Sequence, residues 1–343
     1  MTSKTTAAGQ MPTLSDDLTV LRAEFPAYKI WQEHTPGRAR YVARSLRDGL
    51  NPHTVVTSDL AELRNALEPA RSTGMLAFTP DQPNIARMYD YWLQGKDHYS
   101  ADRAAADEIT EKFPEVAQIA QANRAFLVRA VRHVARQGIT QFLDLGSGLP
   151  TSPNTHEVAC EAAPDARVCY VDNDPVVLAH ARALLAIDGK VSVATGDIRD
   201  PATFLTDPAL THLIDPATPV CVLLVSVLHF LTAAEADAAV AAIRHWMAPG
   251  SYLVISAGTS TGTDPELVRC LRAAYGDTAP VTGRTADEIA AWFDGFSLAR
   301  PGLVDVWAWR PSDSPRTLRP DVSRARFLAG VGRKLPVAPE WQP

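Results

Sequence analysis

Phe142-Leu143-Asp144-Leu145-Gly146-Ser147-Gly148-Leu149-Pro150, answered downstream by Tyr170-Val171-Asp172-Asn173-Asp174, is the stretch whose reading decides the fold. The first segment reads as a short apolar strand entering a glycine-rich turn. The second reads as another strand ending in a carboxylate. Glycines let a backbone approach a ligand closely, and an acidic residue at the next strand tip can accept both hydroxyls of a ribose. A dinucleotide fingerprint would carry a third glycine, but Pro150 and Thr151 stand there. Asp144, two residues before Gly146, adds a negative charge suited to a cationic amino-acid tail.

Working outward, strand-like segments recur at 141–145, 167–171, 191–194, 220–225, 252–256, 297–299 and 304–309. Helical patterns separate the earlier ones, at 175–186, 233–247, 265–274 and 286–293. This alternation predicts an α/β fold, a doubly wound and mostly parallel seven-stranded sheet. Only Arg300-Pro301-Gly302-Leu303 joins the last two segments. A parallel pair needs about a dozen connecting residues, so an antiparallel terminal hairpin is expected. Rossmann dehydrogenases lack that ending.

The flanks divide the chain further. Residues 1–13 read as a tail. Residues 14–68 form a small α+β unit: a helical start over 14–25, alternating strands at 28–33 and 38–44 about a Pro36-Gly37 turn, and a capped helix from Ser58. Residues 69–83 read as a linker, 84–140 as a helical cap or lid, 141–311 as the ligand-binding domain, and 312–343 as a C-terminal tail.

Composition narrows the function. Of 343 residues, 46% are hydrophobic and 21% charged, ordinary for a globular protein. A net charge of −6 provides no basic footprint for nucleic acid. Cys160, Cys169, Cys221 and Cys270 are widely spaced and form no metal motif. They suit a reducing cytoplasm. The longest apolar run, 220–231, is shorter than the ~20 residues of a membrane span, and no signal peptide opens the chain. A cytoplasmic protein is expected.

Asp197, after the third strand, lies on the same sheet edge as Asp144 and Asp172. It can accept from an adenine amine while Ile198 covers the ring; a helix cap or Asx turn is the structural alternative. Three acidic strand tips and the hairpin point to S-adenosyl-L-methionine as cofactor. Asp144, Gly146, Ser147, Gly148, Asp172, Asn173, Asp197, Ile198, Ser226 and Arg124 are its expected contacts, and no metal is expected. Arg124 would meet the cofactor's carboxylate. His229, beyond the fourth strand, is a candidate base or a wall residue. Tyr89 and Tyr91 lie in an aromatic-rich lid segment, and the acceptor is expected near them, His229 and the loop 258–264. That acceptor reads as a small molecule. A nicotinamide oxidoreductase and a non-catalytic cofactor sensor are the alternatives.

Several of these segments together resemble a largely uncharacterised actinobacterial family of class I S-adenosylmethionine-dependent methyltransferases. They are Tyr89-Asp90-Tyr91, Gly95-Lys96-Asp97, Ala122-Asn123-Arg124-Ala125-Phe126, Phe142 to Thr151, Tyr170 to Val177 and Arg300 to Val304. The resemblance implies cofactor binding at Asp144, Gly146, Gly148, Asp172, Asp197 and Ile198. Two positions depart from it: Gln94, where a second glycine is expected, and His98, where asparagine is common. Residues 14–68 resemble a small actinobacterial domain also found outside this family, which implies an interaction module for a protein partner.

Overall fold

The computed structural model describes residues 18, 21–22, 25, 28–35, 38–45, 54–72, 81–185, 189–276, 279–311 and 325–336. The chain divides into two units, residues 1–79 and 80–343. The Pro36-Gly37 turn, the 1–13 tail and most of the 14–25 helix lie outside the described residues.

In the smaller unit, β1 (Tyr28–Thr35) pairs antiparallel with β2 (Arg38–Ser45), joined in register from Thr35 opposite Arg38 to Tyr28 opposite Ser45. A third strand, β3 (Thr54–Thr57), lines the other edge of β2 and was not foreseen. Helix α1 (Leu60–Ser72) starts where Asp59 Oδ1 accepts from the amides of Ala61 and Glu62. It extends into the expected linker. Leu63 and Leu67, one turn apart, face Tyr28, Ile30, Tyr41 and Ala43 in a small core.

The larger unit opens with three helices, α2 (Ile85–Trp92), α3 (Ser100–Lys112) and α4 (Val116–Arg136). Met88, Trp92, Ile109, Phe113 and Ile119 bury their apolar faces together. Gly138, at φ +87°, stops the chain from continuing α4. Then β4 (Gln141–Leu145), α5 (Thr155–Ala162), β5 (Arg167–Asp172), α6 (Pro175–Leu184) and β6 (Val191–Thr195) alternate. After α7 (Pro201–Leu205) and α8 (Pro208–Thr211) come β7 (Cys221–Val225), α9 (Ala233–Trp246), β8 (Tyr252–Thr259), α10 (Pro265–Tyr275) and α11 (Ala286–Ala291).

The five strands β8, β7, β4, β5 and β6 lie parallel in that order. Both faces are covered, so their apolar residues alternate between two cores. Leu143, Leu145, Val171 and Leu224 point to one face; Phe142, Val168, Tyr170 and Leu223 point to the other. The strand order reverses between β4 and β7, the position where doubly wound sheets bind ligands.

The antiparallel ending exists, but its strands differ from the expected hairpin. Segments β9 (Phe296–Leu298) and β10 (Val304–Asp305) do not pair with each other. Both run along one edge of β11 (Arg326–Lys334), whose other edge pairs antiparallel with β8. Among the described residues the sheet therefore has eight strands instead of seven, and 326–334, expected within a C-terminal tail, is its antiparallel backbone. Val306 and Trp309 leave the sheet and plug the core beside Phe126.

Candidate functional site

A cavity of about 350 Å³ opens at the carboxyl ends of β4, β5 and β7, bounded by α2 and by Asn123, Arg124 and Leu127 in the middle of α4. Strand geometry brings its carboxylates together. Asp144 and Asp172 end or nearly end adjacent parallel strands, with Asp144 opposite Tyr170 and Asp172 opposite Thr195. Both are buried, at 4% and 8% exposure.

Asp172 is held from two sides. Its Oδ2 accepts from the Gly148 amide at 2.9 Å, and its Oδ1 accepts from the Asp174 amide at 2.9 Å. Burial pushes its carboxyl up to about 6, against these stabilising amides. Asp144 Oδ2 accepts from the Thr155 hydroxyl at 2.7 Å, and burial likewise raises it, opposed by that bond and by Arg124. Asp197, more open, pairs with Arg199 at 2.5 Å, which holds it below the usual carboxylate range. Asn173 Nδ2 donates to Asp197 at 3.2 Å, so the two ribose- and base-side candidates are linked.

Gly146 sits at φ +65°, and a Cβ there would lie 2.5 Å from Val227 Cγ1. Backbone conformation and close approach both require glycine at this position. Gly148 shares φ +65° but faces open space. Ser226 also adopts a left-handed conformation, φ +63°, at the tip of β7, its amide donating to Ser256. Arg124 Nη2 donates to the Thr151 and Pro153 carbonyls, and its Nε is buried without a partner among the described residues. All ten expected cofactor contacts, from Arg124 to Ser226, line this one cavity.

The expected catalytic side chains fare differently. Tyr89 lines the cavity, but its hydroxyl donates to Ala120 O and accepts from Asn123 Nδ2. Burial pushes its phenol up to about 12, so the hydroxyl stays protonated around neutral pH with both bonds made inside the protein. Tyr91 lies two residues on, across the helix, and donates to Asp107 at the surface. His229 is not among the lining residues. The 3₁₀ turn Leu228–Phe230 rotates it onto Phe230 and Phe327, where enclosure of its Nδ1 accompanies a pKa lowered to about 4 by burial. Phe230 takes its place on the wall. The 258–264 loop is likewise absent from the lining, and Ala279 and Pro280 stand there instead.

Sequence reasoning missed Asn84, Asp90, Leu231 and Asp174, which also line the cavity. Asn84 and Asp174 carried a readable signal, each preceding a helix as a cap. Gln94 occupies a left-handed position, φ +63°, consistent with the glycine expected there. Its neighbour Gly95 lies so close to the Asp90 carboxylate that any Cβ would overlap it. His98 stacks on Tyr91 at 5.1 Å and does not line the cavity.

A doubly wound sheet with a strand-tip acidic cavity at its switch point defines a nucleotide-cofactor enzyme. Residues 75–335 match the family described as S-adenosyl methyltransferase, and the chain belongs to that family. It is an S-adenosyl-L-methionine-dependent methyltransferase, which removes the nicotinamide alternative. Similar solved structures include a candidate methyltransferase from Thermobifida fusca: 44% identity, 75% of this chain and 96% of that one, TM-score 0.69. Another is a DUF574 family protein from Streptomyces avermitilis: 36% identity, 74% and 98% coverage, TM-score 0.69. No curated protein matches the chain. Among the described residues, no helix is long and apolar enough to cross a membrane.

Proposed function

We propose that this enzyme methylates a small cytoplasmic molecule, with the cavity above β4, β5 and β7 serving both cofactor and acceptor. The observation that carries this reading is the gathering of Asp144, Asp172, Asp197 and the Gly146–Gly148 loop around one cavity. The residues fit the cofactor. The Gly146 approach excludes any side chain, the carboxylates of Asp144, Asp172 and Asp197 would suit its cationic amine, its ribose hydroxyls and its adenine amine in turn, and Ile198 offers an apolar face. Asp172 would hold the ribose, Asp197 and Ile198 the adenine, and Asp144, the glycine loop and Arg124 the methionine moiety.

When bound, the cofactor supplies an electrophilic methyl group on a sulfonium. The chain's own contribution is then positioning and exclusion of water. Tyr89, Leu93, Phe230, Leu231 and Pro280 also line the cavity and would orient an apolar or aromatic acceptor. The cavity volume falls in the ordinary range for a small-molecule or cofactor site.

Calorimetry with S-adenosylhomocysteine tests the cofactor site: binding by the wild type and its loss in Asp172→Ala are expected. Transfer of labelled methyl groups into a fractionated extract tests the acceptor. Label in the low-molecular-weight fraction is expected; label confined to protein or nucleic acid would refute a small acceptor.

A further inference from the structure

Two helix caps meet across the mouth of the cavity. Asn84 Oδ1 accepts from the amides of Ala86 and Arg87, starting α2. Asp174 Oδ1 accepts from the amides of Val176 and Val177, starting α6. Each cap has one side-chain atom left over, and these two bond to each other: Asn84 Nδ2 donates to Asp174 Oδ2 at 2.5 Å. The caps thus join the roof of the cavity to its floor, and both residues line it.

On the floor, the Asp174 amide donates to Asp172, so the bond ends one step from the carboxylate assigned to the ribose. On the roof, the Asn84 amide donates to Asp102, which also pairs with Arg87 in a buried ion pair and accepts from the Tyr99 amide. The roof is therefore a braced unit, α2 with the start of α3. His180 on α6 also faces Asp97, beyond α2, with Nε2 3.6 Å from Oδ1, an ion pair only when the histidine is protonated. The Asn84–Asp174 bond ends at the cap of α6, the helix that follows Asp172.

We infer that Asn84 and Asp174 form a latch. They are positioning residues that hold α2 over the bound cofactor, orient Asp172 from behind, and set the rate at which cofactor and product exchange. This rests on the reading of the cavity as the cofactor site. Charge-assisted hydrogen bonds of this kind are strong, and a like-charge pair in the same place repels.

The chemistry allows the latch to be separated from the caps. Asn84→Asp keeps an oxygen to cap α2 but sets a second carboxylate against Asp174. The double variant Asn84→Asp, Asp174→Asn exchanges the two groups and restores a donor opposite an acceptor, with both caps intact. Dissociation of S-adenosylhomocysteine is followed by stopped-flow fluorescence or competition. Asn84→Asp is expected to raise the dissociation rate about tenfold or more, with association little changed. The double variant is expected to return it to within about threefold of the wild type.

An unchanged rate in folded Asn84→Asp, or no recovery in the exchange variant, overturns the latch. If Asn84→Asp does not fold, Asn84→Ser, which keeps a capping oxygen on a shorter side chain and removes the Nδ2 that reaches Asp174, decides the matter by the same rate. Failure of the cofactor reading is distinct: the wild type itself would then not bind S-adenosylhomocysteine, or Asp172→Ala would bind it undiminished.

Discussion

The backbone amide of Gly148 donates to Oδ2 of Asp172 at 2.9 Å, fastening the glycine loop after β4 to the carboxylate that ends β5. Two segments 24 residues apart in sequence thus form one ligand surface. Because a ligand hydroxyl would share that carboxylate with two backbone donors, replacing it disturbs the loop as well as the contact. Asp172→Ala is expected to weaken S-adenosylhomocysteine binding by about 100-fold, read by calorimetry, since at least one hydrogen bond to a charged group is lost.

The same carboxyl sets a pH dependence. Burial raises Asp172 to about 6, so in the empty site it takes up a proton as pH falls through that value. A protonated carboxyl loses acceptor capacity for hydroxyl donors. S-adenosylhomocysteine affinity is therefore expected to decline below pH 6, and Asp172→Asn to flatten that decline. The stability consequence has the opposite sense. With its folded value above its unfolded one, this group favours the folded empty protein most below about 4, and that contribution is lost as pH rises towards 6.

Gly146 and Gly148 share φ +65° yet predict different outcomes on substitution. Alanine at either position bears left-handed strain of about 1–2 kcal/mol. At Gly146 the added methyl also meets Val227 Cγ1 at 2.5 Å, within the packed floor of the cavity. Gly146→Ala is expected to lose about 3 kcal/mol or more of stability, combining strain with overpacking. Gly148→Ala should lose only the strain. Urea denaturation of the two variants measures the difference directly.

Much of this was legible in the sequence because it rests on local rules. Strand-length apolar runs, the glycine turn and the acidic tips are each set by nearby residues, and parallel pairing then brings them together. What escaped depended on distant partners. Strand β11 contains Gly330 and Gly332, which read as loop residues. In the sheet they leave room for Phe293 and Phe296: a Cβ at Gly330 would meet the Phe293 ring at 2.9 Å, and one at Gly332 would meet that ring at 2.8 Å and Phe296 Cβ at 2.9 Å. The direction of His229 was equally hidden, since a single 3₁₀ turn decides whether it or Phe230 faces the cavity. Tyr91 was different: helical periodicity already separates it from Tyr89, and that signal was available.

Gln94 and Gly95 make a paired test of the lid turn. Gln94 bears a left-handed backbone without a glycine, so Gln94→Gly should leave stability unchanged or raise it by up to about 1 kcal/mol. Gly95→Ala should be strongly destabilising, by about 2 kcal/mol or more, because the Asp90 carboxylate occupies the space and also accepts from the Asp97 amide. Thermal unfolding of both variants gives the two signs.

His229 offers the last test, because its place in the fold separates a buried wall support from a catalytic base. Its ring lies tilted against Phe230 at 4.2 Å and stands edge-on to Phe327 at 5.5 Å, behind the cavity wall. Its Nδ1 is buried without a partner among the described residues. Enclosure lowers its pKa to about 4, from an ordinary value near 6.5. At neutral pH it is already uncharged in both folded and unfolded chains. As pH falls below 6.5 the unfolded chain takes up the proton first, so stability falls progressively until about pH 4, where the folded histidine protonates too. His229→Phe removes the titrating group and fills the same aromatic slot. It is expected to keep methyl transfer within about threefold of the wild type, because the ring packs on Phe230 and Phe327 and does not line the cavity, whereas loss of a true base costs about 100-fold or more. It is also expected to flatten the fall in stability between pH 6.5 and 4, read by denaturant midpoints across that range. A hundredfold loss of transfer with intact cofactor binding would instead return His229 to the reaction.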